Sequence, residues 1–336
     1  MTGHTLTRNS RDAAIGTTVT LGVVVLLALF PLFGSASTQL TLIEVFYFLS
    51  LAQMWNLLAG FGGLVSVGQQ GFVGIAAYTT FVLAEKNGLD PFLALVLAGV
   101  IVAVFSVPVA AFAFRLQGGY FAIGTWVIAE VFRLATLQID SLGAGNVQSF
   151  TVRNTFANYD IDLRRDVIYW VALALAAGAT FIVVFVLRSR LGLALRAVRD
   201  NPDGASGLGV NVTRARLTVW VMAAAWTGAT GALIHLNSST VTNRDAFSVL
   251  DWTALVIFIV IIGGVGSTTG PIIGVAIFWF ISEQFEDADT WRFIILGGVA
   301  AVMAVFAPRG VYGLIQQWRP FQLFPVRARL RGPGLD

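Results

Sequence analysis

The sequence predicts an all-α polytopic membrane protein of about ten transmembrane helices, with both termini cytoplasmic and some helices short or broken by glycine. Three observations predict it. Long uncharged apolar runs recur along the whole chain, giving a mean hydropathy of +0.79. Charged residues make up 12% of the 336 residues, where a soluble domain carries roughly 25%. Basic residues gather in alternate connecting segments, as orientation in a bilayer requires.

Stretches of roughly 17–25 mostly apolar residues are long enough to span a bilayer. They fall at about 14–34, 40–59, 64–84, 92–114, 119–137, 167–187 and 218–237. The apolar block 252–307 is interrupted by Gly263 to Pro271 and by the polar stretch Glu283 to Thr290, which divides it into 252–264, 270–283 and 291–307. Arg8 and Arg11 before the first run, and Gly34-Ser35-Ala36-Ser37 after it, resemble a signal peptide. The run Ala13–Phe33 exceeds the roughly 7–15 residues of a signal peptide's apolar region, so it reads as a retained first span.

Charge then orients the chain. Segments 1–13, 59–63, 115–118, 188–217, 265–270 and 308–336 fall on one side and hold fourteen of the twenty-one basic residues. The opposite side holds Lys86, Arg153, Arg164, Arg165, Arg244 and Arg292, with Arg133 inside a span. The positive-inside rule makes the first side cytoplasmic. Ten spans satisfy this, and so do eight if 252–283 is one broken crossing. The organisation is a cytoplasmic segment 1–13, a single transmembrane domain 14–307 with an external loop 138–166 and a cytoplasmic loop 188–217, and a basic tail 308–336.

Composition excludes several chemistries. The absence of cysteine removes thiolate nucleophiles and cysteine metal sites. His4 and His235 are far apart, which disfavours a metal cluster or a His-based triad. The single lysine, Lys86, precedes Asn87-Gly88, so no G-x-x-x-x-G-K-[ST] phosphate loop exists. No catalytic residue, metal or cofactor is assigned, and any ATP hydrolysis belongs to another polypeptide.

Glycine clusters inside membrane spans are informative because the backbone there must satisfy its own hydrogen bonds. Gly60 to Gly74 and Gly263 to Gly274 both contain Gly-Gly-x-x-Ser: Gly62, Gly63 and Ser66, then Gly263, Gly264 and Ser267. They read either as interrupted helices lining a pathway or as close packing through small residues. Gln69 and Gln70 suit interhelical hydrogen bonds or a passing polar solute. Glu130 lies in mid-span with Arg133 at i+3, which is either an intrahelical ion pair or a carboxylate facing an aqueous cavity. Glu44 reads as a snorkelling or interhelical partner, and His235, a lone histidine near a span end, as structural.

In the 188–217 loop, apolar residues at 191, 194, 195 and 198 form one helical stripe. Asn201 then reads as an N-cap, Pro202 as the first helical residue and Asp203 as a first-turn acid. Two short helices follow, the second closing near Gly207 or Gly209. Such a capped, small-residue segment suits docking to a partner better than anchoring in lipid.

At this loop the sequence resembles the permease family of high-affinity branched-chain amino acid ABC importers, the LivM/LivH type, and its LivM-like branch in particular. The resemblance rests on Ser189-Arg190-x-Gly192-x-Ala194-x-x-Ala197-Val198-Arg199-Asp200-Asn201 with Ala205, Gly207, Gly209, Val210 and Asn211. It rests also on Gly63-x-x-Ser66-x-Gly68-Gln69-x-x-Phe72-x-Gly74, on Gly119-Tyr120-Phe121-Ala122-Ile123 with Glu130, and on Gly263-Gly264-Val265-Gly266 with Gly270-Pro271. The ordered set covers about residues 40–310.

The resemblance implies a multi-pass permease of the bacterial cytoplasmic (inner) membrane. It would pair with a second related permease, two cytoplasmic ATPase subunits and an external substrate-binding protein, with no role for nucleic acid. It implies ATPase coupling through Arg196, Arg199, Asp200, Asn201, Pro202, Asp203, Ala205, Gly207 and Gly209. Spans two, three, five and eight would line the pathway, with Ser66, Gln69, Gln70, Phe72, Tyr120, Thr125, Glu130 and Ser267 as candidate residues. Branched-chain or related amino acids are the expected substrates. The alternatives are urea or short amides, or, in a different class, an ion-coupled secondary transporter using Glu130.

Overall fold

A computed structural model describes residues 5–7, 11–139, 142, 146–148, 161–238, 240–284, 289–307, 309–318 and 329–331. Most of the expected external loop 138–166, and the tail residues 319–328 and 332–336, lie outside the described residues.

The described chain is helical almost throughout. In order, α1 spans Arg11–Leu29, α2 Ala36–Asn56, α3 Gln69–Phe81, α4 Pro91–Ala113, α5 Gly119–Leu137 and α6 Ile161–Arg188. There follow α7 at Arg190–Asp200, α8 at Pro202–Gly207, α9 at Val212–Ser238, the single turn α10 at Asn243–Ala246 and α11 at Leu255–Gly263. The series closes with α12 at Gly270–Gln284, α13 at Asp289–Phe306 and α14 at Gly310–Trp318. Wider π-helical turns extend α2 through Leu57–Phe61, extend α3 through Val82–Lys86, and precede α11 at Leu250–Ala254.

Six of these helical stretches are long and apolar enough to cross a membrane: Ala36–Phe61, Pro91–Ala113, Gly119–Leu137, Asp162–Arg188, Val212–Ser238 and Asn243–Gly263. A seventh arises if Phe293–Phe306 and Gly310–Trp318, bent by 49°, form one span. Thr18–Leu32 and Gly270–Gln284 are apolar but shorter. The expected third span, 64–84, instead begins at Gln69, because the chain from Gly62 to Gly68 is not helical. The sixth begins at Ile161 rather than 167, its first turn stabilised by the Asp162–Arg165 pair at 2.8 Å.

Helix α9 is the central post, packed against α4, α3, α2 and α6. Small residues let it approach: a Cβ on Gly231 would sit 2.7 Å from Val73 Cα, and one on Gly228 2.9 Å from Val102 Cβ. Trp220 on α9 is 1% exposed, and its ring meets Phe72, Phe114 and Phe121 edge-on at 5.5–6.0 Å. A second core joins α2 to α11 and α12 through Phe48, Trp55, Ile259 and Phe278. The end of α1 is tied to α6, where Tyr169 Oη donates to Leu27 O at 2.8 Å and Trp170 Nε1 to Ala28 O at 3.0 Å. Those carbonyls lie in the last turn of α1 and lack partners within the helix.

Two short antiparallel strand pairs complete the architecture. Asn146–Gln148 pairs with Thr240–Thr242, and Thr5–Thr7 pairs with Arg329–Arg331. The second pair brings the chain's two ends together.

Candidate functional site

The two glycine breaks predicted from Gly-Gly-x-x-Ser fold alike. The second glycine of each has positive φ, +69° at Gly63 and +125° at Gly264, a conformation strained for any residue with a Cβ. Each serine then serves the following helix. Ser66 Oγ accepts from Gly68 N at 3.2 Å, and Ser267 Oγ accepts from Gly270 N at 2.8 Å. The breaks also touch each other, since a Cβ on Gly60 would lie 2.5 Å from Gly266 N. The second is closed by the turn into α14, where a Cβ on Gly264 would be 2.6 Å from Arg309 O.

Irregular backbone shielded from water leaves N–H and C=O groups that need protein partners. Three side chains of α2 supply them. Asn56 reads the second break on both edges, accepting from Gly266 N and donating to Ser267 O, each at 2.8 Å. Gln53 donates to Thr268 O at 3.1 Å, and Trp55 Nε1 donates to Ser66 O at 2.8 Å. One helix therefore holds both breaks.

The same junction is tied to the helix pair α7–α8. Arg199 Nη1 donates to Gly60 O at 2.9 Å, and its stem lies where a Gly63 side chain would go, with Cγ 3.2 Å from that Cβ position. Its Nη2 and Nε also bond Asp200 Oδ1, at 3.0 and 3.1 Å. The helix pair itself forms as the sequence predicts. Ser189 caps α7 and Asn201 caps α8 by accepting from Gly204 N at 2.9 Å, with Pro202 at the first helical position. Leu195 and Val198 of the apolar stripe are buried. Asp200, Asn201, Asp203, Gly207 and Gly209 are exposed, Arg196 and Pro202 half-buried, and Ala205 buried. Leu208 is 85% exposed at the tip.

Of the candidate pathway residues, Ser66, Gln69, Gln70, Phe72 and Thr125 are buried inside the chain, Ser267 is half-buried and Tyr120 is exposed. Gln70 accepts from Thr253 Oγ1 at 2.5 Å, while its N–H donates to the same hydroxyl at 3.2 Å. Gln69 Nε2 donates to Leu51 O at 3.1 Å, and its buried Oε1 has no partner among the described residues. The space beside it, lined by Trp55, Leu58, Ser66, Gln69, Phe72 and Thr227, measures ≈ 10 Å³. That is about one water-sized sphere, too small for a solute in this conformation. Thr125 Oγ1 accepts from Val67 N at 3.0 Å, fixing α5 to the first break.

Glu130 and Arg133 form the intrahelical pair. Arg133 Nε lies 3.0 and 2.9 Å from the two carboxylate oxygens, and Nη2 lies 2.6 Å from Oε1. Arg133 Nη1 donates to Asn243 Oδ1 at 2.9 Å, and Asn243 Nδ2 returns bonds to Arg133 O and Thr136 Oγ1 at 2.9 and 2.8 Å. The pair is not interior to the chain: the Arg133 and Glu130 side chains are 30% and 43% exposed. It shares a stripe of α5 with exposed Ile123, Val127, Val131 and Leu134. At 1.5 Å per residue, Glu130 stands about 16 Å from one helix end and about 10 Å from the other. A charge at such depth costs about 2.5–3.5 kcal/mol or more against lipid.

Sequence reasoning missed Gln53, Asn56 and Asn243 and the inward reach of Arg199. The signal present was two amides at i and i+3 within an otherwise apolar span. His235 is buried, with Nδ1 3.4 Å from Thr240 O and its ring edge-on to Trp252, and Gln39 accepts from Arg165 Nε near the same end.

The described residues form a multi-pass helical domain whose broken helices are held by neighbouring side chains and tied to a helix pair at one end. The chain belongs to the family described as branched-chain amino acid transport system / permease component, which matches residues 35–307. It is similar to the high-affinity branched-chain amino acid transport system permease protein LivM of Salmonella typhimurium, 29% identical over 279 residues, which is 76% of this chain and 65% of that protein. The Escherichia coli LivM is 28% identical over 318 residues, 87% of this chain and 73% of that protein. The galactose/methyl galactoside import permease protein MglC of Haemophilus influenzae is 26% identical over 184 residues, 53% of this chain and 54% of that protein. The chain thus spans just under two thirds of the Salmonella LivM and nearly three quarters of the E. coli one. No solved structure matches the chain.

Proposed function

We propose that this chain is a permease subunit of an ATP-driven importer for branched-chain or related amino acids. It forms half of the translocation pathway in a bacterial inner membrane and takes its drive from a separate ATPase through residues 188–211. In this reading the chain has about ten membrane-embedded helical segments, both termini and the α7–α8 pair are cytoplasmic, and a second related permease supplies the other half. Two ATPase subunits seat on the helix pair, and an external binding protein delivers substrate to the opposite face.

The observation that carries the reading is the Arg199–Gly60 bond at 2.9 Å. It makes the helix pair a lever attached to the broken helices, where a passive lipid-facing loop would need no such attachment. Leu208 and Asp203 are exposed and open to a partner. The LivM-like similarity favours amino acids over the sugars named for MglC.

The ion-coupled alternative assigns Glu130 to a proton or cation. Arg133 already balances its charge, so a lone cation gains little net attraction there, and an ion relay would need further carboxylates in mid-span. Reconstitution decides between the two readings. Vesicles holding the chain with its partner permease and ATPases should accumulate leucine only with ATP. Uphill uptake by the chain alone on an ion gradient would overturn the proposal.

A further inference from the structure

The Glu130–Arg133 pair lies on an open face of α5 rather than inside the chain. Its stripe on α5 is open, yet a charged pair at that depth is unsuited to lipid, so the stripe faces water or protein. Arg133 carries five N–H donors. The bonds to Glu130 and Asn243 use three of them, which leaves one N–H on Nη1 and one on Nη2 without a partner among the described residues. A pair of N–H groups on Nη1 and Nη2 can bind a carboxylate bidentately. Glu130, 43% exposed, still presents carboxylate oxygen to solvent for an ammonium. Asn243, 5% exposed and bonded three ways to α5, fixes the guanidinium plane. The open neighbours on the stripe, Ile123, Val127, Val131 and Leu134, are aliphatic.

We infer that this pair is the permease's own recognition site for an α-amino acid, with the ammonium on Glu130, the carboxylate on the remaining Nη1 and Nη2 N–H groups of Arg133, and an aliphatic side chain along the Val127–Val131 stripe. The inference rests on the permease reading above and adds to it a selective site within the membrane domain. A hexose offers neither charge and gains nothing from the pair.

The chain lacks cysteine, so a thiol introduced into it is the only one on this subunit and labelling is read on this subunit's band. Val127→Cys places one on the same stripe, a turn from Glu130. The complete transporter in nanodiscs is treated with a charged, water-soluble methanethiosulfonate. The thiol should react, and leucine at ten times its Kd should slow the reaction about tenfold by occupancy. Leucinol and isocaproate, each missing one charge, and galactose should not slow it. Glu130→Gln and Arg133→Gln, each in the Val127→Cys background, should react yet lose leucine protection. The comparison among the four ligands needs neither charge variant, so a misfolded variant leaves the test intact. Reaction without selective protection by leucine overturns the inference and spares the permease reading. A thiol that never meets the aqueous reagent overturns both the site and the pathway position of α5.

Discussion

Arg199, at the end of a short helix outside the bundle, donates through Nη1 to the carbonyl of Gly60 at 2.9 Å, in the turn where α2 unwinds. Its stem fills the space left by Gly63, and the same guanidinium lies 3.6 Å from the Cβ position of Gly266. A single side chain therefore touches both breaks from the helix pair. The proposed coupling would pass displacement of α7–α8 through this side chain to the breaks.

Arg199→Ala should uncouple the transporter. It removes a charge-assisted bond worth about 1–2 kcal/mol at a half-exposed position, a factor of about ten in the coupled equilibrium. Leucine taken up per ATP should fall about tenfold while ATP hydrolysis continues, and Arg199→Lys should recover part of it. Unchanged stoichiometry in the alanine variant would show that the bond transmits nothing.

Asn56→Ala leaves the Gly266 N–H and the Ser267 carbonyl without this partner at a largely buried junction. Orphaned buried groups cost about 1–3 kcal/mol each, so the variant should be destabilised by about 2–4 kcal/mol. The check is thermal unfolding in detergent beside a substitution of exposed Val100. An equal effect at both positions would deny Asn56 its role.

Gly264→Ala combines φ of +125° with a Cβ 2.6 Å from Arg309 O and should cost about 2–4 kcal/mol. Gly297→Ala is the control. Nothing lies within 4 Å of its added methyl in α13, and helix propensity makes the change neutral or stabilising by about 0.5–1 kcal/mol. The two melting curves should move in opposite directions, and a common shift would mean that the break is not strained.

Much of this was legible in the sequence where the cause is local. Asn201 followed by Pro202 announces α8 because cap chemistry acts within one turn, and the Glu130–Arg133 pair follows from i, i+3 spacing. The Gly-Gly-x-x-Ser breaks were readable as a pattern, since positive φ selects glycine. What could not be read is which far segment answers a polar side chain. Asn56 meets residues more than two hundred positions on, and composition cannot tell that from a pathway contact. Arg199 carried the same ambiguity, because an arginine beside an aspartate in a basic loop looks solvated. Span counts were limited for a related reason: hydropathy marks the apolar run but not where glycine stops the helix, as at Gly62–Gly68.

The last prediction separates docking from transmission within the one helix pair. Leu208 is 85% exposed at the tip of α8, carries no hydrogen-bonding side chain, and follows a helix whose only buried residue is Ala205. An apolar side chain held out in water at a capped turn suits burial in a partner's groove. Leu208→Asp should leave the melting temperature of the isolated chain within the range of a surface change, about ±0.5 kcal/mol. It should abolish co-purification with the ATPase, because a carboxylate would be buried unpaired at the contact. Arg199→Ala should show the reverse pattern, retaining the ATPase while losing transport. If both variants lose the ATPase together, Arg199 belongs to the docking surface and the lever has no inward arm. If Leu208→Asp binds the ATPase normally, the tip of α8 is not where the partner sits.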